Sequence, residues 1–186
     1  MTCIAAITDR TIVWMGGDSA GVSGSNLEIR DDPKVFKRED KSKNIWVFGF
    51  TVSFRMGQLI RYDLELPELG RDDEQNIHRF MVKKFVPAIR KCLAEGGWRT
   101  KKEDREVGGK FLVGLRGNIF MIDSDYQVGI PSNLFTAIGS GENLALGALF
   151  VSDDKLPEER ILNALAAAEA FSTGVRRPFN IVTTQK

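Results

Sequence analysis

The first 24 residues, MTCIAAITDRTIVWMGGDSAGVSG (1–24), decide how the rest of the chain is interpreted. Two apolar runs, residues 2–7 and 11–15, flank a short polar turn, a pattern typical of a β-hairpin. Asp18 follows the second run within a glycine-rich segment. If the bond between Met1 and Thr2 is broken, the chain begins with a hydroxyl and a free α-amine whose pKa is about 7.7–8.0. Thr2 then supplies both a nucleophile and the base that activates it.

Composition narrows the class of protein. The 186 residues predict a single domain, residues 1–186. The net charge of +1 argues against nucleic acid and against an anionic membrane as partners. The N-terminus has no basic segment followed by a long apolar run, and no stretch reaches the roughly 20 apolar residues of a membrane span. We therefore expect a cytoplasmic protein, in which the two cysteines form no disulfide.

The remaining strands and helices alternate in blocks. Strands are predicted from short β-rich runs at residues 22–29, 45–51, 111–115, 118–122, 126–130, 135–138 and 179–184. Helices are predicted at residues 52–64, 72–93 with a kink at Pro87, 142–151 and 157–171, and residues 98–109 are predicted as an exposed connection. This order predicts an α+β fold, a four-layer αββα sandwich of two mainly antiparallel sheets between helix layers.

Several short motifs occur in a joint order that is more specific than any one of them. They are Thr2 before an apolar strand, Gly17-Asp18 after the second strand, Lys34 before Val35, Gly49 before a helix, and AIGSG at residues 137–141 before an alanine-rich helix. In this order the chain resembles the proteasome-type N-terminal nucleophile (Ntn) hydrolases, which include proteasome β subunits and the bacterial ATPase-dependent proteasome-like peptidase. The resemblance spans nearly the whole chain.

The resemblance implies a threonine-type hydrolase of amide bonds, most simply a peptidase. Thr2 matches the nucleophile, and Lys34 matches a lysine whose positive charge lowers the pKa of the Thr2 amine. Asp18 matches the acid that keeps this lysine charged and oriented. Ser140 matches a serine that hydrogen-bonds near the amine. Gly49 is the candidate for the backbone N–H that stabilises the oxyanion of the tetrahedral intermediate.

A second set of roles falls on the loop after the last helix. Glu169 and Ser172 match an acid-x-x-serine pattern in which the family commonly has aspartate. By position, the backbone carbonyls of Glu169, Ser172 and Val175 match those that hold a monovalent cation, Na⁺, in the related bacterial peptidase. The resemblance implies no other metal or cofactor. A further departure is Thr51-Val52-Ser53-Phe54, where the family is rich in glycine and alanine.

The resemblance also implies partners. It predicts a peptide or unfolded protein as substrate, a homo-oligomeric ring whose chamber confines proteolysis, and an ATPase unfoldase that feeds the ring. Met1 lies directly before Thr2 in this sequence. We therefore expect methionine aminopeptidase, which accepts a small second residue, to expose Thr2.

Three alternatives remain open at this point. The chain could be a small-molecule amidohydrolase of the same superfamily that acts without a chamber. It could be a catalytically silent assembly subunit that keeps Met1. A third reading makes Cys3 the nucleophile after removal of Met1 and Thr2, as in cysteine-type Ntn amidases, although no ordinary processing step removes Thr2.

Overall fold

The first of two facing sheets is built around the N-terminal strand. The computed structural model describes residues 1–102 and 105–185. The strands of this sheet are β1 (Cys3–Thr8), β2 (Val13–Gly17), β12 (Phe135–Gly139) and β13 (Asn180–Thr183), in the order β12-β1-β2-β13. All three pairings are antiparallel, and the predicted hairpin of β1 and β2 is confirmed. Strand β1 is therefore central and hydrogen-bonded on both edges.

The second sheet contains five strands. These are β5 (Val35–Glu39), β6 (Ile45–Phe50), β9 (Phe111–Leu115), β10 (Asn118–Ile122) and β11 (Val128–Gly129), in the order β11-β10-β9-β6-β5. Every neighbouring pair is antiparallel. Two separate hairpins complete the strands: β3 (Ala20–Ser23) with β4 (Asn26–Ile29), and β7 (Thr100–Lys102) with β8 (Arg105–Val107).

Three of the predicted elements are corrected by this topology. The strand expected at residues 22–29 is a hairpin, because the chain reverses at Gly24, whose φ of 58° is readily adopted only by glycine. The connection expected at residues 98–109 contains the β7–β8 hairpin, and its residues 103 and 104 lie outside the described part. The strand expected at residues 126–130 pairs only over Val128–Gly129, because Tyr126 has a φ of 68° and turns the chain.

Helices cover the outer face of each sheet. On the second sheet lie α1 (Phe54–Gln58), α2 (Arg71–Glu74), α3 (Ile77–Phe80) and α4 (Val86–Glu95), with π-helical turns at Leu59–Asp63 and Met81–Phe85. On the first sheet lie α5 (Glu142–Phe150) and α6 (Pro157–Phe171). Since a third apolar cluster fills the space between the two sheets, the predicted four-layer αββα sandwich is confirmed.

The predicted long helix at residues 72–93 is interrupted twice. Asn76 starts a new helix by accepting a hydrogen bond from the Arg79 N–H on its side chain. Further on, the Val86 N–H bonds to the Met81 carbonyl and closes a wide π-helical turn just before Pro87. Pro87 thereby falls in the first turn of α4, where a missing N–H is tolerated. In place of the kink predicted at Pro87, the helix has a widened π-helical turn just before this residue.

Strand β1 is buried on both faces, between the helices on one side and the second sheet on the other. Cys3, Ala5 and Ile7 belong to the apolar cluster beneath α5 and α6, whereas Ile4 and Ala6 belong to the cluster between the sheets. Side chains alternate across a strand, so an uninterrupted apolar run is buried on both faces. No helix among the described residues is both long and apolar enough to cross a bilayer.

Phe85 provides a test of the packing between the second sheet and the helices that cover it. Its ring is fully buried and stacks near Trp46 and Phe48, with centroid separations of 5.5 and 6.3 Å. We expect Phe85→Ala to lower the free energy of unfolding by about 3–5 kcal/mol, because a large cavity is left between helix and sheet. Val82→Ala, in the same π-helical turn but on an exposed side chain, is the control and should cost less than about 0.5 kcal/mol. Equal losses in denaturant titrations of the two variants would contradict this packing.

Candidate active site

Thr2 is held by its backbone at the start of β1. Its nitrogen donates to the Ser140 Oγ at 3.1 Å, and the same hydroxyl donates to the Thr2 carbonyl at 3.3 Å. The Gly141 N–H donates to that carbonyl as well, at 3.3 Å. The Thr2 hydroxyl donates to the carbonyl of Met1. The structure thus brings Ser140, predicted as a partner of Thr2, into direct contact with it.

The approach of Ser140 to Thr2 depends on Gly139. This residue ends β12 with a φ of 104°, outside the range that other residues adopt readily. A Cβ added here would lie 2.2 Å from the Thr2 carbonyl oxygen and 3.4 Å from Cγ2 of Thr51. Both conformation and space therefore require glycine, which lets the segment that carries Ser140 pass directly over Thr2.

Asp18 and Lys34 form a buried ion pair beside this strand. The Lys34 Nζ lies 2.8 Å from Oδ1 of Asp18, and both side chains are essentially inaccessible to solvent. The same Oδ1 accepts the N–H of Cys3 at 2.9 Å. The acid that orients Lys34 therefore also fixes the peptide that joins Thr2 to Cys3.

The other carboxylate oxygen of Asp18 is also satisfied. Its Oδ2 accepts the N–H of Ala20 at 2.9 Å and that of Arg176 at 3.3 Å. Burial lowers the pKa of the Lys34 ammonium from its usual value, and the charge of Asp18 opposes this effect. The proton of this lysine is therefore held less firmly than that of a surface lysine.

Gly49 does not fit the role of oxyanion donor. Phe50 donates its N–H to Lys34 across the β5–β6 pair, and hydrogen bonding alternates along an antiparallel ladder, so the N–H of Gly49 faces β9, where its register partner is Leu112. A Cβ on Gly49 would meet Ile4 and Met15 in the core between the sheets. The prediction is corrected: Gly49 permits close packing of the two sheets.

Val52, within the segment 51–54 that departs from the glycine- and alanine-rich pattern of the family, is a further candidate site residue. It has a φ of 71°, a conformation that a β-branched residue rarely adopts, and Ser53 donates its N–H back to Thr51 across it at 2.8 Å. Within the described residues the Val52 N–H has no hydrogen-bond partner, and Val52 lines the same cleft as Thr2. Strain of this kind is concentrated at functional sites. The one sequence signal is the departure at residues 51–54, where the family is rich in glycine and alanine; valine itself disfavours this geometry.

The loop after α6 is arranged differently from what the sequence predicts. The Glu169 carboxylate accepts the backbone N–H of Arg177 at 2.9 Å and its Nε at 2.8 Å. Among the described residues, neither Glu169 nor Ser172 hydrogen-bonds to Thr2. The carbonyls of Glu169, Ser172 and Val175 do converge, as their predicted role in cation binding requires. The group at their centre is a nitrogen of the Arg176 guanidinium.

The cysteine alternative is not supported by the geometry. Cys3 is fully buried, and burial, followed by the nearby charge of Asp18, raises the pKa of its thiol to about 12. A thiol of this kind stays protonated and is a poor nucleophile. Cys3 and Cys92 are both free, as expected. In the described part of the chain, no group of three histidine, cysteine or acidic side chains is placed to bind a metal ion.

A cleft of about 310 Å³ opens in front of Thr2. It is lined by residues of the β3–β4 hairpin, by the segment from Phe50 to Phe54 and by Lys34. The guanidinium of Arg30 lies 4.0 Å from the Phe54 ring centroid and forms a two-point ion pair with Asp32. Thr2, the buried ammonium of Lys34 and the strained backbone of Val52 thus line one cleft.

Comparison with known proteins identifies the fold. No family model and no curated protein sequence matches the chain. Solved structures do match it. BPH of Thiobacillus denitrificans, in complex with epoxomicin, has a TM-score of 0.69 at 16% identity over 98% of this chain and 97% of that chain. HslV of Trypanosoma brucei has a TM-score of 0.66 at 18% identity over 98% of both chains.

A third structure extends this likeness. The Gly-1 mutant of Anbu from Hyphomicrobium sp. strain MC1 has a TM-score of 0.71 at 13% identity, over 98% of this chain and 81% of that one. At these identities the likeness establishes the architecture alone. The chain has the fold of the HslV- and proteasome-like peptidases, the Ntn hydrolase fold that its motif order predicts.

Proposed function

We propose that this protein is a threonine-type peptidase whose nucleophile is the hydroxyl of Thr2, exposed when the bond to Met1 is broken. The observation that carries the proposal is the Asp18 carboxylate, one oxygen of which binds both the buried Lys34 ammonium and the N–H that follows Thr2. A lysine that only stabilised a turn would not need to be fully buried at this point. A lysine whose ammonium lowers the pKa of the N-terminal amine does need to lie here, inside the protein.

The reaction requires only groups of the chain and water. The Thr2 Oγ attacks the carbonyl carbon of the substrate while its proton passes to the Thr2 amine. The C–N bond then breaks, the leaving amine takes that proton, and an ester to Thr2 remains. Water, deprotonated by the same amine, attacks the ester, releases the acid and returns the proton to Thr2 Oγ. Lys34 favours the neutral amine because two nearby positive charges repel each other.

We assign the oxyanion donor to the N–H of Val52 in place of Gly49. This N–H has no partner among the described residues, and it follows Thr51, whose methyl group lies close to Gly139 beside Thr2. A donor fixed in advance stabilises the developing negative charge without reorganisation. The strained conformation of Val52 supports this assignment, because it keeps the N–H out of the β6 ladder.

The shape of the cleft favours a peptide over a small amide. Strand β3 pairs with β4 along one edge and has no partner strand on the other among the described residues, and residues of both strands, Gly21 and Val22 of β3 included, line the cleft. A strand edge without a partner strand in the described structure can take an extended peptide by main-chain hydrogen bonding. A small-molecule amidohydrolase has no need of such an edge, so we rank that function second.

The attached Met1 distinguishes the silent-subunit alternative from the enzyme. While the bond to Met1 is intact, the Thr2 nitrogen is an amide and cannot act as a base. The side chain of Met1 packs on Gly174, where an added Cβ would lie 2.0 Å from the Met1 Cβ. Met1 also lines the cleft. The chain with Met1 in place is therefore the inactive form of the proposed enzyme.

We further propose a homo-oligomeric ring as the working form, fed by an ATPase unfoldase. The resemblance implies both. Large apolar side chains that remain more than 70% exposed on the α5–α6 layer support burial against further copies of the chain; they are Phe150, Val151, Leu156 and Phe171. A chamber would restrict the exposed catalytic threonine to unfolded substrates.

The catalytic proposal is tested with epoxomicin, the ligand of the BPH neighbour, and a fluorogenic peptide. We expect protein that has lost Met1 to gain the mass of one inhibitor and to lose its peptidase activity. Thr2→Ala should bind no inhibitor covalently and retain no measurable activity, because the nucleophile is gone. Thr11→Ala, which removes an exposed hydroxyl from the β1–β2 turn, is the control and should behave as wild type. Equal activity of Thr2→Ala and wild type would refute the mechanism.

The role of Lys34 predicts a bell-shaped pH profile. Activity should rise with pH as the Thr2 amine loses its proton and fall again as Lys34 loses its own. Because burial lowers the pKa of Lys34, the alkaline decline should begin below the ordinary pKa of a lysine side chain, 10.5. Lys34→Ala should reduce kcat/KM at least about 100-fold. Lys37→Ala, at an exposed lysine on β5, should not. Near-full activity of Lys34→Ala, with an unchanged circular dichroism spectrum, would make Lys34 structural only.

The ring proposal is tested by mass in solution. Light scattering on a sizing column should give a particle many times heavier than the 20.7 kDa chain, with the same mass for wild type and Thr2→Ala. The two should agree because the nucleophile lies in the cleft and not on the helical layer. A peptidase of monomeric mass would exclude the chamber while leaving the threonine mechanism standing.

A further inference from the structure

The end of α6 holds a cation that belongs to the chain. One guanidinium nitrogen of Arg176, Nη1, donates to the Val175 carbonyl at 2.6 Å and to the Ser172 carbonyl at 3.0 Å. The Glu169 carbonyl lies at 3.5 Å from the same atom. Three carbonyl oxygens from one helix end and the loop after it therefore surround a single positively charged group.

The chemistry of this position favours a positive charge. The last four carbonyls of a helix have no partner within the helix, and the helix dipole places partial negative charge on them. Converging backbone carbonyls are also how proteins replace the hydration shell of a monovalent metal ion. These are the carbonyls that match, by the family resemblance, the ligands of Na⁺ in the related bacterial peptidase. A metal ion bound by all three would need the space that Nη1 fills, so the residues present do not fit a resident ion.

We infer that Arg176 is a built-in replacement for the monovalent cation and holds this loop without any metal ion. Its backbone then transmits the fixed position to the active site. The Arg176 N–H donates to Oδ2 of Asp18, and the Arg176 carbonyl accepts the N–H of Ser19 at 2.8 Å. Arg176 is thus a positioning residue for the Asp18–Lys34 pair. That catalytic consequence rests on the proposed function, whereas the structural role does not.

The neighbouring arginine provides a matched control. Arg177 pairs with the Glu169 carboxylate on the outside of the loop, through a side chain that is 66% exposed. It donates no hydrogen bond to the three carbonyls. A surface ion pair of this kind contributes little to stability. Replacement of each arginine by alanine removes the same charge and similar bulk at adjacent positions, so only the place of the charge differs.

The first experiment measures melting temperature in sodium, potassium and tetramethylammonium chloride at equal ionic strength. Wild type should melt at the same temperature in all three salts, because its carbonyls already have their cation. Arg176→Ala should melt roughly 5 °C lower in tetramethylammonium, and Arg177→Ala should change little. In Arg176→Ala the vacated carbonyls should accept a small cation, so Na⁺, K⁺ or low millimolar guanidinium should raise the melting temperature again.

Several outcomes would overturn the inference. One is a wild-type melting temperature that rises specifically in Na⁺ or K⁺; another is an Arg176→Ala protein as stable as Arg177→Ala. Failure of every small cation to stabilise Arg176→Ala would show that the carbonyls select no cation. If the alanine variant does not fold, Arg176→Lys replaces it. The lysine variant keeps the charge and should fold with the same melting temperature in all three salts, and its failure to fold would contradict the inference.

An activity measurement separates this inference from the proposed function. In Arg176→Ala, kcat should fall with little change in KM, and the cation that restores the melting temperature should restore kcat. Inactivity of every protein, wild type included, would count against the peptidase and leave the melting result intact. Unchanged kcat in a destabilised Arg176→Ala would show that the loop does not position Asp18, which overturns the positioning role.

Discussion

The structure of the site depends on one buried carboxylate. Asp18 takes two charges out of water together with Lys34, and removing one partner of such a pair typically costs about 3–5 kcal/mol. The pair is sustained because the carboxylate also accepts N–H groups from three different parts of the chain. The start of β1, the end of β2, the start of β5 and the loop after α6 therefore meet at one residue. A displacement of Asp18 would therefore also displace the backbone next to Thr2.

Two unusual backbone conformations lie on either side of Thr2, the proposed nucleophile. On one side, Gly139 passes so close to the Thr2 carbonyl that no side chain fits. On the other side, Val52 is held at positive φ between a strand and the N-terminal cap of α1. Glycine adopts the first conformation readily, whereas valine is among the residues least suited to the second. Unfavourable conformations of this kind cluster at functional sites, which is why the N–H of Val52 is proposed as the oxyanion donor.

The sequence predicts more of the fold than of the site. Continuous apolar runs such as residues 45–50 and spaced apolar residues such as those of α6 define layers, because burial depends on pattern alone. Asp18, Lys34 and Ser140 follow from motif order. Gly49 was assigned wrongly because the direction of an N–H depends on strand register, which a single chain does not reveal. The contacts of Arg176 are not predictable from the sequence for a related reason. A basic residue after a helix is common, and only the fold of the loop brings its guanidinium to the carbonyls.

The backbone contacts that hold Thr2 in place are independent of Met1, although the Thr2 hydroxyl itself donates to the Met1 carbonyl. Ser140 and Gly141 bind the carbonyl of Thr2, and Asp18 binds the N–H of Cys3; all three lie on the C-terminal side of the Met1–Thr2 bond. Breaking that bond leaves these hydrogen bonds in place and turns the nitrogen beside Ser140 into an amine. The new amine then lies beside Ser140, in a site whose buried ammonium is already in place, and the Thr2 hydroxyl is released from the Met1 carbonyl. Preorganisation of this kind makes the fold itself, with its internal cation at Arg176, the source of the proposed reactivity.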